Sequence, residues 1–317
     1  MRTTKKIGSK FMSLLIIVAM IICTCAFSPV ETVNAQTGST ASKKSVQAVN
    51  AVYRGMIKDG NTFYMRTDGG IISYNIRTKK SKKLVKKINS SWGPMLMYNG
   101  YIYYTDTVND VKCIYRVDVE GKKAPKLIAR NASLGFVYKN RIYYDNNGLC
   151  SMSLNGANKR RYARSKESSM FGSYVFFYKN RFFYGDVDKQ YSVDTNCKNK
   201  RKSRYGYENL VNAVNFINSA SSVEMKKGMC WVDPDNSTGN WNTITYSKEV
   251  GKKSIRKTIY KSSRNSVRII ASSDSGYMLI AENSGNLKKT DSRYKKGTVK
   301  IINLSGKVLA TLKNSQK

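Results

Sequence analysis

The chain has 317 residues, 56 Lys+Arg against 20 Asp+Glu for a formal charge of +36, six Cys and no His. Without histidine there is no Ser-His-Asp or Cys-His machinery, no imidazole metal ligand and no ordinary proton shuttle near neutral pH. Aliphatic and aromatic residues make up 41% of the chain, enough for a core, which excludes a disordered polycation; the charge predicts anionic neighbours and is silent on fold.

The first predicted element is an address. Arg2, Lys5, Lys6 and Lys10 precede a stretch, 11–27, that is apolar apart from single Ser and Thr residues, and Val33-Asn34-Ala35 follows before Gln36. A basic start, an apolar centre and a V-x-A site predict a secretory signal peptide, 1–35, cleaved after Ala35, and hence a secreted or cell-surface protein. An uncleaved membrane anchor is the alternative, at the short limit for a span. Removing 1–35 leaves 52 basic and 19 acidic residues, a charge of +33. Residues 36–45 (QTGSTASKKS) read as a flexible lead-in.

A body that repeats every forty residues follows. Aromatic strands stand at Asn61-Thr-Phe-Tyr64, Tyr101-Ile-Tyr-Tyr104, Arg141-Ile-Tyr-Tyr144 and Arg181-Phe-Phe-Tyr184, their final tyrosines forty positions apart. Divergent copies stand at Met229-Cys-Trp-Val232 and Tyr277-Met-Leu-Ile280. Most are preceded by an apolar run ending in a polar turn, as in 95–100 (MLMYNG) and 175–180 (VFFYKN). Each is followed by an alternating run, as in 71–76 (IISYNI), and then a basic run, as in 125–130 (PKLIAR). Four short strands per repeat, joined by Asn, Asp and Gly turns, predict an all-β fold: a six-bladed β-propeller of four-stranded antiparallel blades. The blades fall at about 46–87, 88–131, 132–165, 166–207, 208–262 and 263–317. The last blade owns its final strand, 308–314 (VLATLKN), which leaves open whether 45–52 (SVQAVNAV) pairs across the seam.

The stretch 102–129 (IYYTDTVNDVKCIYRVDVEGKKAPKLIA) resembles a YWTD-type blade of the low-density lipoprotein receptor-related propellers. Tyr103-Tyr-Thr-Asp106 takes the place of the name motif, with Tyr104 where that motif has tryptophan. The layout is similar to a bacterial exported propeller family of unknown function described as receptor-related-protein-1-like. The resemblance covers roughly 50–317 and implies six blades and an extracellular location; it brings no established catalytic residues.

Asp106, Asp145, Asp186 and Asp233 each fall one or two residues after the aromatic anchor of a strand. Two of them could serve as acid and base in a carbohydrate-active hydrolase or lyase working in the propeller channel. The reading preferred here is architectural, because an asymmetric active site needs carboxylates from only two or three blades, and Asp at a strand end binds turn N–H groups. The loop Asp233–Gly239 alternates oxygen ligands as a Ca²⁺ site would, but lacks the glycine and closing glutamate of an EF-hand loop and reads as a polar hairpin. It also breaks the repeat, which makes it a candidate recognition loop.

Basic residues cluster at one phase of the repeat, the third turn and fourth strand, which in a propeller is the rim. The candidate ligand-binding residues are Lys79, Lys80, Lys82, Lys83, Lys86 and Lys87, then Lys159, Arg160, Arg161 and Arg164, then Lys200, Arg201 and Lys202. Lysines on an outermost strand also block edge-to-edge pairing, although interspersed signs would do this equally well. Specific nucleic-acid recognition is not expected: the 22 tyrosines lie mostly on repeated strand positions, where packing explains them. Cys113, Cys150, Cys197 and Cys230 match no CxxC metal spacing, and buried thiols are expected over a disulfide. The sequence thus predicts a non-catalytic binding or scaffold module with no cofactor and no metal. Its basic rim would engage an anionic cell-wall polymer or polysaccharide, or an acidic protein partner, and the membrane would be met only through an uncleaved signal segment.

Overall fold

The computed structural model describes residues 48–317 apart from 54, 68, 91–92, 166–173, 187–188, 205, 214–215, 220–221, 226–227, 234–240, 251–252, 264–265, 274, 284–297 and 313–317. The chain divides into two units, 1–34 and 35–317, and every described residue belongs to the second. The expected signal segment, the lead-in and residues 234–239 of the Asp233–Gly239 loop lie outside the described residues.

The described residues form six antiparallel sheets, one per repeat, in a β-propeller. Sheet I holds the strands Met56–Asp59, Thr62–Thr67, Gly70–Asn75 and Lys80–Val85; sheet II holds Pro94–Tyr98, Tyr101–Val108, Val111–Asp118 and Lys126–Arg130. Sheet III holds Ser133–Tyr138, Arg141–Asp145, Leu149–Ser153 and Arg160–Arg161; sheet IV holds Tyr174–Tyr178, Arg181–Gly185, Gln190–Asp194 and Arg201–Ser203. Sheet V adds an extra inner strand, Phe216–Ser219, to Ser222–Met225, Gly228–Asp233, Thr243–Val250 and Lys253–Lys261; sheet VI holds Ser266–Ser272, Tyr277–Asn283, Thr298–Asn303 and Val308–Leu312. Each four-strand meander turns twice at one end, the hairpin end, where strands one and two and strands three and four are joined. The second turn and the link to the next sheet lie at the other, the link end.

The aromatic strands are apolar on both faces because each sheet is packed on both sides. Ile142 and Tyr144 enter the core shared with sheet II, beside Leu96, Tyr103 and Ile114, whereas Tyr143 enters the core shared with sheet IV, beside Phe136, Phe182 and Tyr184. Ile102 and Tyr104 turn the other way, onto Tyr64 and Ile71 of sheet I. Alternation of side chains along a strand thus feeds two neighbouring cores. Stacked rings join strands within sheets, Phe136 on Tyr143 at 4.7 Å and Phe176 on Phe183 at 5.2 Å between centroids. Gly135 is required where sheets III and IV converge: a Cβ there would lie 2.4 Å from the Val175 carbonyl oxygen.

A helix, Gly206–Ala213, stands before sheet V and sets Leu210 and Ala213, three residues apart on one face, against Phe176 and Phe183 of sheet IV. The sheets then close on themselves. Met56, Phe63 and Met65 of sheet I pack against Ala271, Leu279 and Ile301 of sheet VI, with Phe63 edge-on to Tyr277 at 5.3 Å.

The segment expected to start the first blade lies elsewhere. Val49–Asn50 pairs with the inner strand of sheet III (Val49 opposite Val137) and Val52–Tyr53 with that of sheet II (Val52 opposite Met95). The Asn50 amide bridges to sheet IV, accepting from the Phe177 N–H at 2.7 Å and donating to its carbonyl at 2.8 Å. Ala48 to Val52 are buried throughout. Small side chains let one strand run between converging inner strands, so the seam question is answered by a central strand instead of a shared outer one.

Candidate functional site

Turn chemistry sets the basic residues on the surface. In sheets I, II, IV and VI the third strand ends in Asn75, Asp118, Asp194 or Asn303, whose side-chain oxygen accepts N–H groups of the following turn. Asn75 caps Arg77 and Thr78, Asp118 caps Lys122 and Lys123, Asp194 caps Asn196 and Lys198, and Asn303 caps Ser305 and Lys307, at 2.8–3.0 Å. Several of these donors belong to the basic residues themselves, so the cap that closes the turn also fixes where each cation leaves the backbone. The Lys122 N–H, first among several, holds the Asp118 carboxyl below the usual carboxylate range. Gly121, Gly156, Cys197 and Gly306 each donate to the carbonyl three residues back, all with left-handed φ, and Gly156 lies against the Ile128 carbonyl of the preceding sheet.

All thirteen candidate residues are exposed, and all lie on or beside the outermost strand of a sheet. Lys80, Lys82 and Lys83 are on the outer strand of sheet I, Arg160 and Arg161 on that of sheet III, Arg201 and Lys202 on that of sheet IV. Lys79, Lys159 and Lys200 occupy the hairpin-end turns; Lys86, Lys87 and Arg164 follow the strand into the link. The basic runs therefore span the height of the outer edge. Some cations also serve the fold: Lys82 donates to the Glu120 carbonyl of sheet II, Arg161 to the Asn146 carbonyl at 2.8 Å, and Lys200 lies 4.2 Å from the centre of the Tyr191 ring.

The four carboxylates sit at the link end and are engaged locally. Asp106 accepts the Asn89 and Ser90 N–H groups at 2.9–3.1 Å, Asp145 the Gly148 N–H at 2.9 Å and Asp186 the Lys189 N–H at 2.6 Å. Asp233 accepts from the Trp231 indole at 2.6 Å and from Arg256 at 2.9 Å. Burial pushes the Asp145 carboxyl up against the opposing pull of the Gly148 N–H, Lys112 and Arg161. Cys113, Cys150 and Cys230 are buried thiols and Cys197 a half-buried one; burial raises Cys197 to about 11 and Cys230 to about 12.

Three arrangements escaped the sequence reading. Arg66, 2% exposed, donates to the Ser90 carbonyl through Nε at 3.1 Å and faces Asp106 at 3.9 Å; burial lowers it to about 10 against the pull of Asp106 and Tyr104. Glu282, also 2% exposed, accepts from Lys300 at 2.7 Å and from Tyr260 and Ser262 at 2.6 Å. Burial raises the Glu282 carboxyl, but these donors outweigh it and the net shift is downward; Lys300 is shifted upward, burial being outweighed by Glu282 and Tyr260. Arg141 and Arg181, forty positions apart, each fork onto a third-strand serine, Ser151 or Ser192, and onto the Asn158 or Asn199 carbonyl at 2.7 or 2.6 Å. The forty-residue step between the two arginines, each with a serine 10 or 11 residues on, was the available signal for this last pair. Among the described residues, no cluster of three or more Cys, Asp or Glu could hold a metal ion.

No family model matches the chain, and no curated protein matches it. It is similar to the crystal structure of a nidogen/laminin complex, with 13% identity over 84% of this chain and 95% of that one and a TM-score of 0.36. It is also similar to a quinonprotein alcohol dehydrogenase-like protein from Bacteroides thetaiotaomicron, with 12% identity over 81% and 77% and a TM-score of 0.44. The propeller assignment rests on the sheet order and on the cores between sheets.

Proposed function

We propose that this chain is an exported, non-catalytic binding module of YWTD-like propeller type whose basic outer edge engages an anionic polymer of the cell envelope. The observation that supports this reading most is the exposure of Arg160, Arg161, Arg201 and Lys202 on outer strands only two and three residues long. Edges that short are already blunt to strand addition, so edge protection does not account for these four cations. A rigid scaffold that presents cations on successive sheets binds a flexible polyanion multivalently, since each further contact is intramolecular.

The test is binding of the 35–317 unit to isolated Gram-positive walls, with and without their teichoic acids, from about 50 to about 500 mM salt. Binding that needs the polymer and falls steeply with salt is the expected result, because bound cations release counterions. Binding unchanged by removal of the polymer, or flat across the salt series, overturns the reading.

A further inference from the structure

The two ends of the sheets differ in chemistry. At the hairpin end, the turn before the outermost strand, or the first residue of that strand, supplies an exposed lysine in every sheet: Lys79, Lys122, Lys159, Lys198, Lys253 and Lys307. Lys139 and Lys179 add to them from the first turn, each about 5 Å above the ring of the tyrosine before it. At the link end, the second strands of five sheets finish in or beside carboxylates, Asp106, Asp145, Asp186, Asp233 and Glu282. The hairpin end thus carries an exposed lysine in every sheet, with Glu120 and Glu249 among them, while the link-end carboxylates are engaged in hydrogen bonds and stand near cations such as Lys86, Lys87, Lys112 and Arg164.

The exposed large apolar residues divide unequally between the two ends. Six are found among the described residues, and five of them, Tyr101, Met229, Val250, Ile255 and Val308, lie at the hairpin end; only Trp241 lies at the link end. Single exposed apolar side chains scattered over a surface need no explanation, but these share an end. Val250 and Val308, 47% and 40% exposed, stand on adjacent sheets V and VI beside Lys253 and Lys307. Tyr101 carries Arg116 above its ring at 4.9 Å.

We infer that the hairpin end docks face-on to an anionic lipid surface. Lysines attract the headgroups, while side chains such as Val250, Ile255 and Val308 enter the boundary between headgroups and acyl chains. A soluble polyanion has use for the lysines but none for the apolar side chains, and this selects a lipid surface over a polymer at this end. The contact goes beyond the outer-edge reading: it shares Lys79, Lys159 and Lys200 with that edge, but its apolar residues are its own. It also differs from the expectation that the membrane is met only through the signal segment.

The test measures partition of the 35–317 unit into vesicles of phosphatidylcholine with and without about 30% phosphatidylglycerol. Lacking 1–34, this unit has no apolar leader to insert. Binding that requires the anionic lipid is expected. The pair Val250→Asp and Val308→Asp should weaken it by about tenfold or more, the milder Val250→Ser and Val308→Ser by less, and Trp241→Ser should leave it unchanged. Because these residues are exposed, circular dichroism of each variant should match the parent. Wall-polymer binding by the same variants should hold, which separates the two readings. Absence of anionic-lipid-dependent binding in a unit that still binds polymer overturns the lipid contact alone. Vesicle binding indifferent to the valine substitutions, or equally lost with Trp241→Ser, overturns face-on docking.

Discussion

The strands around the channel and the strands at the outer edge are paired by the same backbone hydrogen bonds, yet their side chains do opposite work. Asn50, fully buried, spends its amide on backbone groups, the Phe177 N–H and carbonyl and, at 3.5 Å, the Ala213 carbonyl, while Arg160, with one neighbouring strand, points its charge at solvent. The difference teaches where stability and binding reside. A polar group inside must be matched atom by atom, because nothing else can satisfy it. One at the edge is satisfied by water and is free to meet a ligand.

Substitutions ordered from the channel outward should sharpen this contrast. Asn50→Ala strands a buried N–H and a buried carbonyl, and a loss of about 4 kcal/mol is expected, read as a lower urea midpoint with unchanged slope. Asp106→Ala removes the acceptor of two turn N–H groups and the counter-charge of buried Arg66; about 3 kcal/mol should be lost. A midpoint unmoved by either change would mean that the inner contacts are not what holds the sheets together.

Glu282→Gln comes next, at about 2 kcal/mol near neutral pH, and its pH dependence is specific. The Glu282 carboxyl is shifted downward in the fold, so its contribution is complete above the unfolded value of about 4.3 and is lost as pH falls through the folded one. Lys300 is shifted upward, so its contribution is complete below about 10.4 and is lost as pH rises through its folded value. The stability difference between parent and Glu282→Gln, followed by thermal unfolding, should be widest between these limits and close toward acid. At the edge, Arg160→Ser with Arg201→Ser should change stability by less than about 0.5 kcal/mol while flattening the salt dependence of polymer binding. A stability loss there comparable to that of Asn50→Ala would abolish the distinction between inside and edge.

Much of this was legible in the sequence, for reasons visible in single residues. Tyr64, Tyr104, Tyr144 and Tyr184 recur every forty positions because each is a buried residue of the second strand of its sheet, and the outer-edge cations were placed because they hold one phase of that repeat. The roles of Asn50 and Glu282 were not legible. Asn50 sits in an ordinary apolar run, and its partner Phe177 is 127 residues away; Glu282 is the last residue but one of a divergent strand, with Lys300 and Tyr260 on two others. The helix before sheet V was missed because eight residues, Gly206–Ala213, show too few turns for a helical period.

By itself, then, the sequence determined the period, the strands within each repeat and the edge on which the cations stand, because strand alternation and turn chemistry act over a few neighbouring residues. Tertiary structure alone decided which core each aromatic ring enters, that residues 49–53 pair with the inner strands of sheets II and III, and that exposed apolar side chains gather at one end of the sheets. Those outcomes depend on pairs of strands brought together from distant parts of the chain, and no local pattern records which partners will meet.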